Sequence, residues 1–417
     1  MRHFLLIAVL ASFAIVADVR AAENELTLFE AVRLAESSAP LMASKEAAVG
    51  GARALTESAG RLPDPELVLG VDNWPTTGPD AWSLGNDFMT MRRVGFMQSV
   101  PNARKRRSER ALAQAQLQAA EADAAATRLT VAQMAATAWV NAYCAELESR
   151  NLQSLQSTLA LQADAARAGL ASGRASASDA LMAQAARAEL EDRLLMLRET
   201  AATARSELVR WAGDAGQSPL AAPPSFASLS VPAEELLASA HHHASLLALD
   251  AQIDAARRDV DVASADRRPD WSTELSYARR GPGFSDMVSV AFRVSLPLFP
   301  EERHNPAIRA KRAVVTQLES DRATELAMHS AEIRSMLASW QSARDRVELY
   351  ERERLPLAQQ RSRLALAALQ SGQSDLRQAL AVQVEEIELQ RSYADLLRTL
   401  GRSWAFLNYL QSPGSTP

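Results

Sequence analysis

The stretch "VSVAFRVSL" at residues 288–296 alternates apolar and polar side chains over its whole length. In a β-strand, successive side chains point to opposite faces of the sheet. One face of this strand would carry Val288, Val290, Phe292, Val294 and Leu296. The other face would carry Ser289, Ala291, Arg293 and Ser295. The stretch therefore predicts a strand with one apolar and one polar face.

Three other segments follow the same period of two. The first places Leu67, Leu69 and Val71 opposite Glu66, Gly70 and Asp72. The third places Trp271, Thr273, Leu275 and Tyr277 opposite Ser272, Glu274, Ser276 and Ala278. The second is less regular, because Arg92 and Gln98 share the face of Val94, Phe96 and Val100. Such strands are typical of transmembrane β-barrels, but a soluble sandwich with one wet face gives the same alternation.

The number of strands favours the barrel only if several chains share it. Four strands cannot close a transmembrane barrel, since known barrels begin at about eight strands and an open sheet edge is not tolerated in lipid. Each subunit would then contribute four strands to one common barrel. The residues predicted to face lipid are Leu67, Leu69, Val71, Val94, Phe96, Leu275, Tyr277, Val288, Val290, Phe292 and Val294.

The rest of the chain is typical of long packed helices. Neither Pro nor Gly occurs between Pro101 and Gly169, which predicts one helix of roughly 65 residues and about 100 Å. A second run extends from Pro306 to Gly372, with a kink expected at Pro356. Two seams with heptad spacing predict coiled-coil packing. They are Leu190, Leu194, Leu197, Ala201, Ala204, Leu208 and Trp211, and Leu389, Tyr393, Leu396, Leu400, Ser403, Leu407 and Leu410.

An internal repeat organises these elements. The segment "SGRASASDALMAQ" at 172–184 returns as "SGQSDLRQALAVQ" at 371–383, and each half has a Pro-Asp pair just before a strand. We predict a first repeat at 22–212, a linker at 213–231, a second repeat at 232–411 and a flexible tail at 412–417. The two repeats would form one intertwined unit. The predicted fold class is mainly α with a membrane β-barrel, in which long helical hairpins form an α-barrel.

The N-terminus and the composition limit the possible functions. Residues 1–21 have the basic start, apolar core and small cleavage-site residues of a secretory signal peptide. The chain contains one cysteine, Cys144, so no disulfide framework is expected, and this residue is interpreted as packed. The net charge of −5 does not favour nucleic acid. No nucleophile elbow, phosphate loop or paired metal-ligand motif occurs, so we expect no enzyme activity, no cofactor and no catalytic or metal-binding residues.

The whole mature chain resembles the TolC family of outer-membrane efflux ducts. The segments "RLPDPELVLGVDNWP" at 61–75 and "DFMTMRRVGFMQSVPNARKRR" at 87–107 resemble its CzcC-like branch, which serves heavy-metal resistance pumps. The resemblance implies a homotrimer with a twelve-stranded barrel in the outer membrane of a Gram-negative bacterium and a helical barrel in the periplasm. It also implies a periplasmic adaptor of the membrane fusion class and an inner-membrane RND pump. Heavy-metal cations would then be exported passively through the duct.

The family resemblance also assigns roles to the repeated turns. They would dock the adaptor through Ser172, Gly173, Arg174, Ser371, Gly372 and Gln373. Family members usually carry an Asp six residues after the turn glycine. Asp179 fits this pattern, whereas Gln378 stands at the second site. Both positions are pore or gate candidates, although Asp179 could equally be a helix cap.

Two further clusters have predicted roles. Arg104, Lys105, Arg106 and Arg107 follow the second strand, where basic side chains would contact lipid headgroups. His241, His242 and His243 are expected on a solvated surface rather than around a metal, because consecutive residues of a helix point in different directions.

Two other functions remain open at this stage. The chain could be a duct for drugs or for type I secretion, since cargo is selected largely upstream of the duct. A protein of another class, a periplasmic coiled-coil adaptor or scaffold, would also contain helical hairpins.

Overall fold

The computed structural model describes residues 25–173, 176–371 and 373–410. The predicted signal peptide and tail, together with Arg174 and Gly372, lie outside these residues. The chain forms two compact units, each of which draws on both sequence repeats. The sheet unit consists of Lys45–Ala124 and Ser245–Glu325, and the helical unit contains the chain up to Ser44, Ala125–Ala244 and the chain from Leu326.

The first half contains four helices and two strands within the described residues. In chain order they are α1 (Leu28–Ser38), α2 (Pro40–Ser58), β1 (Glu66–Asp72), β2 (Met91–Val100), α3 (Ala103–Ala171) and α4 (Ala177–Ala212). Helix α3 is 69 residues long. Its uninterrupted length agrees with the prediction made from the absence of Pro and Gly.

The second half repeats this order after a short 3-10 helix at Gly213–Gln217. It contains α5 (Ala233–Ala238), a 3-10 turn at Ala240–His242, α6 (Ala244–Ala265), β3 (Trp271–Arg279), β4 (Met287–Val294) and α7 (Pro300–Leu349). A π-helical turn at Tyr350–Arg354 leads into α8 (Leu355–Gln370), which is followed by α9 (Leu376–Asn408). None of the helices in the described ranges combines the length and the hydropathy that a membrane crossing requires.

Helix α7 begins earlier than the sequence predicts. Pro300 is its first residue, and Pro306 lies inside it. Proline suits a first helical position because its φ angle is already helical and its missing N–H would have had no partner there. Farther along, Pro356 follows the π-helical turn, in which the N–H of Leu355 bonds to the carbonyl of Tyr350. The wider π-helical turn accommodates the pyrrolidine ring of Pro356, which would break a regular α-helix at this position.

The core of the helical unit is built around tryptophans. Trp139 on α3 is fully buried and donates from Nε1 to the carbonyl of Leu26 at 2.9 Å. Trp340 on α7 donates to the carbonyl of Phe226 at 2.9 Å. Leu26 also forms a parallel bridge with Leu220, so the predicted linker packs against the segment just before α1. Both heptad seams are buried or half-buried, as expected for packing surfaces.

The four strands of the sheet unit form one antiparallel sheet in the order β1-β2-β3-β4. The central pair, β2 and β3, joins a strand of the first repeat to a strand of the second. The valines and aromatic residues of these strands favour extended backbone.

Candidate functional site

The strand register collects the apolar side chains on one face of the sheet. Opposite residues in an antiparallel pair share a face. One row across the four strands contains Leu67, Phe96, Leu275 and Val290, and the next contains Leu69, Val94, Tyr277 and Val288. Every residue predicted to face lipid lies on this face and is exposed, from 40% at Val71 to 72% at Phe292. We call this surface the apolar face.

The opposite, polar face contains a buried ion-pair network. Glu274 on β3 is only 3% exposed. Arg93 on β2 donates to it at 2.6 Å, and Arg293 on β4 donates to its other oxygen at 2.5 Å. Arg93 also pairs with Asp72 on β1 at 3.0 Å. The network ties all four strands together, and the buried carboxylate has charged partners on two sides.

Both outer strands of the sheet have a free edge within the described residues. β1 pairs with β2 alone, and β4 pairs with β3 alone. Free backbone N–H and C=O groups at a sheet edge can pair with a further strand. The sheet thus combines an exposed apolar face with two edges that can extend it.

The first hairpin turn lies between α3 and α4. Gly173 has φ of +70°, a conformation that L side chains rarely adopt, and a Cβ there would meet no atom within 4 Å. Ser176 caps α4 by accepting from the N–H of Asp179 at 3.1 Å, and the Ser176 hydroxyl donates to the Asp179 carboxylate at 2.6 Å. The hydroxyl and the backbone N–H of Ser176 both donate to the Asp179 carboxylate, and these two bonds lower the pKa of the Asp179 carboxyl. Asp179 is therefore part of a capping box; its role in gating stays a prediction.

The second turn, between α8 and α9, uses a residue that the sequence reasoning missed. Asp375 caps α9 by accepting from the backbone N–H of Gln378 at 2.8 Å. The Gln378 side chain accepts from the Ser374 hydroxyl at 3.0 Å. Each described turn thus presents one carboxylate, the half-buried Asp179 in the first and the exposed Asp375 in the second. The signal was present in the sequence, since an Asp three residues after a turn glycine is a strong N-cap candidate.

The basic run after β2 is divided between two environments. Arg104 and Arg107 are exposed at the start of α3. Lys105 pairs with Asp266 at 2.8 Å, and this hydrogen bond raises the pKa of the lysine. Arg106 is half-buried. Headgroup contact remains a prediction for the run, and Arg104 and Arg107 are its accessible members.

One prediction about the histidine run is wrong. His241 and His242 are exposed, but His243 is only 2% exposed and its Nδ1 bonds to Nε2 of His329 on α7. The chain leaves the 3-10 turn at His243, which directs this ring inward against a residue distant in sequence. Burial and the neighbouring imidazoles of His329 and His242 lower the pKa of His243 to about 4. The described residues contain no group of three or more His, Cys, Asp or Glu arranged to hold a metal ion.

Comparison with known proteins relates this geometry to a group of channels. Residues 237–408 match the family model described as outer membrane efflux protein. The outer membrane protein VceC of Vibrio cholerae superposes with a TM-score of 0.74 and 20% identity, over 92% of this chain and 95% of that one. The outer membrane channel CmeC of Campylobacter jejuni has a TM-score of 0.77 and 12% identity, over 93% and 87%.

A third similar structure is the open state of the outer membrane channel MtrE of Neisseria gonorrhoeae, with a TM-score of 0.61 and 15% identity over 93% of this chain and 91% of that one. A comparison with curated protein sequences gave no match. The mainly helical chain with its four-stranded sheet has the fold of these outer-membrane channels, which confirms the fold class predicted from the sequence.

Proposed function

We propose that three copies of this chain form the outer-membrane duct of a tripartite efflux system, which exports heavy-metal cations passively. The observation that carries the proposal is the exposed apolar face on a sheet with two free edges. An apolar surface of this extent is costly in water and favourable in lipid. The fold shared with outer-membrane channels supports the same conclusion.

Closure of the sheet explains the number of copies. In lipid each unpaired backbone group costs several kcal/mol, so the free edges of β1 and β4 must be paired. Pairing β4 of one copy with β1 of the next satisfies both edges. Three copies of a four-stranded sheet give twelve strands, above the minimum of about eight for a transmembrane barrel. The polar face, with its Arg93–Glu274–Arg293 network, would then line the channel.

The helical unit supplies the contact with the rest of the system. Its two hairpin turns, at 172–176 and 371–375, would dock a periplasmic adaptor that connects the duct to an inner-membrane RND pump. The pump supplies the energy for export, because transport through the duct itself is passive. The carboxylates of Asp179, which is half-buried, and Asp375, which is exposed, lie at these turns, and carboxylates at a pore end favour cations. This charge and the resemblance of 61–75 and 87–107 to the CzcC-like branch support a metal cargo.

The proposal is tested in a Gram-negative host that lacks this protein. Restoring it should place a heat-resistant trimer in the outer-membrane fraction and should increase tolerance of zinc, cobalt, cadmium or copper. A monomer that stays soluble in the periplasm without detergent would refute the duct and favour a scaffold. A trimer that restores tolerance of drugs but of none of the metals would refute the cargo alone.

A further inference from the structure

The apolar face ends in a pair of arginines. Arg92 on β2 and Arg279 on β3 lie directly opposite each other in the register, and Val71 on β1 completes their row. Both arginines are exposed. They lie where the β1–β2 and β3–β4 connections leave the sheet. The adjoining row toward the middle of the face is Leu69, Val94, Tyr277 and Val288. Two cations therefore border an exposed apolar surface.

These two arginines differ from those on the polar face in their lack of an ion-pair partner among the described residues. Arg93 and Arg293 both pair with Glu274. Within the described part of the chain, neither Arg92 nor Arg279 forms an ion pair. Arg92 instead donates a long hydrogen bond to the carbonyl of Arg280 at 3.5 Å. The sheet thus pairs both arginines of its polar face and, among the described residues, leaves Arg92 and Arg279 of the apolar face without an ion pair.

The carboxylates near this row have other partners, since Asp72, which follows Val71, pairs with Arg93. Asp286 precedes β4 and accepts a hydrogen bond from the hydroxyl of Tyr277. It makes no ion pair with Arg92 or Arg279 among the described residues. Arg280 is also engaged, since its Nε donates to the carbonyl of Ser285 at 2.8 Å and its guanidinium lies over the ring of Phe284.

The chemistry of the pair points to a phosphate. Like charges directly opposite in a sheet are destabilising, so an anion between them would remove a repulsion as well as form hydrogen bonds. The planar guanidinium fits phosphate oxygens in a bidentate manner. An anion that also carries acyl chains could bury them against the row of Leu69, Val94, Tyr277 and Val288. No soluble anion would gain this second contact.

We propose that Arg92 and Arg279 together bind the phosphate of an outer-leaflet lipid whose acyl chains cover the adjoining apolar row. This inference rests on the proposed function, because that function places the apolar face in the membrane. It adds a specific lipid site at one end of the face, formed by residues of the two repeats across the β2–β3 pair.

The test uses the purified trimer in nonionic detergent. Native mass spectrometry measures the binding of diphosphoryl lipid A, of the same lipid after removal of its phosphates, and of inorganic phosphate. We expect the phosphorylated lipid to bind about tenfold or more tightly than the dephosphorylated one. R92Q/R279Q should remove this preference. R92K/R279K keeps the charge but loses the bidentate geometry and should give an intermediate affinity.

The matched control is R198Q/R402Q, which removes two exposed helical arginines; it should leave the lipid preference unchanged. A second readout is thermal. Phosphorylated lipid should raise the melting temperature of the parent trimer but not of R92Q/R279Q, and without lipid this variant should melt no lower than the parent. If R92Q/R279Q fails to assemble, the same lipid-binding and melting measurements on R279Q test the inference instead.

Three results would overturn the inference. They are equal binding of the two lipids, an unchanged preference in R92Q/R279Q, and competition by inorganic phosphate at the concentration of the lipid. A trimer that fractionates with the outer membrane and conducts ions in neutral bilayers, yet gives any of these results, would refute the lipid site while leaving the proposed duct intact.

Discussion

Glu274 is the residue on which the polar face of the sheet depends. It is buried and accepts from arginines on both neighbouring strands. Glu274→Gln would remove the carboxylate that Arg93 and Arg293 share and would leave only Arg93 with a charged partner, Asp72. We expect a loss of about 1–3 kcal/mol in the free energy of unfolding, measured by denaturant titration of the purified protein in detergent.

The control for this variant is Glu66→Gln. Glu66 on β1 lies on the same polar face of the sheet and is exposed, so its substitution should change stability by less than about 0.5 kcal/mol. Equal effects of the two variants would mean that the buried network does not stabilise the sheet.

The buried His243 should make the stability of the helical unit depend on pH. The pKa of His243 is about 4 in the folded protein, against an ordinary value of 6.5. Between pH 4 and pH 6.5, the imidazole is therefore protonated in the unfolded chain but neutral in the folded chain. Stability is therefore unaffected above about pH 6.5 and falls as the pH drops toward 4, by roughly 3 kcal/mol at most. The groups that face this ring are His242 on its own turn and His329 on α7, and Glu332 lies 3.8 Å from His329.

Thermal melts at pH 7.5, 6, 5 and 4 test this dependence. His243→Leu should flatten the profile over this range, even if it lowers stability at pH 7.5, whereas His241→Leu at an exposed neighbour should keep the parent profile. A steep profile retained in His243→Leu would assign the acid sensitivity to other groups.

At the scale of the element, the sheet predicts different responses on its two faces. Val290 lies in the middle row of the apolar face, opposite Leu275, and its neighbour Ser289 points to the polar face. Val290→Arg should cost about 2–4 kcal/mol if this row lies near the middle of the bilayer. Folding into lipid vesicles followed by denaturant titration measures the cost. Ser289→Arg is the matched control, and a comparable loss there would mean that the faces are reversed.

Two substitutions at the start of α4 distinguish a helix cap from a pore gate. Asp179→Asn removes a carboxylate and weakens the capping box, whereas Ser176→Ala removes the cap hydroxyl and keeps the charge. If Asp179 lines the pore, Asp179→Asn should lower the cation preference in bilayer recordings and Ser176→Ala should not. If both variants conduct like the parent and differ only in melting temperature, Asp179 is a cap and nothing more.

At the scale of the whole molecule, assembly and export should be separable. Gly173 adopts a positive φ in a turn that is open around its Cα, so Gly173→Val should strain the turn without a clash elsewhere. We expect trimers in the outer membrane at parent levels, with metal tolerance and adaptor cross-linking lost. Gly78, which also has a positive φ and open surroundings but lies in the β1–β2 connection, offers Gly78→Val as the control. Parent tolerance and cross-linking in Gly173→Val would show that this turn is not the docking end.

Two tryptophan hydrogen bonds follow the internal repeat of the sequence. Trp139 bonds to the carbonyl of Leu26, and Trp340 bonds to the carbonyl of Phe226. The two donors and the two acceptors are separated by nearly the same distance in sequence, which is the spacing of the repeated turns. Phe226 belongs to the predicted linker, and it is buried. In the second half the linker therefore accepts the tryptophan hydrogen bond that the segment just before α1 accepts in the first half.

The sequence by itself determined the elements and their faces. Alternation of apolar and polar residues located all four strands and assigned Val290 and Ser289 to opposite sides, because the period of two is a local property of extended backbone. The absence of Pro and Gly likewise located α3, because helix continuity depends on neighbouring residues.

Only the tertiary structure decided which distant residues meet. The burial of His243 against His329, the two arginines on Glu274 and the opposition of Arg92 to Arg279 each join positions far apart along the chain. Periodicity gives the face on which a side chain lies but not its partner, because the partner is set by strand register and helix packing. For the same reason the sequence pattern favoured a solvated His243, whereas packing of the chain buried it.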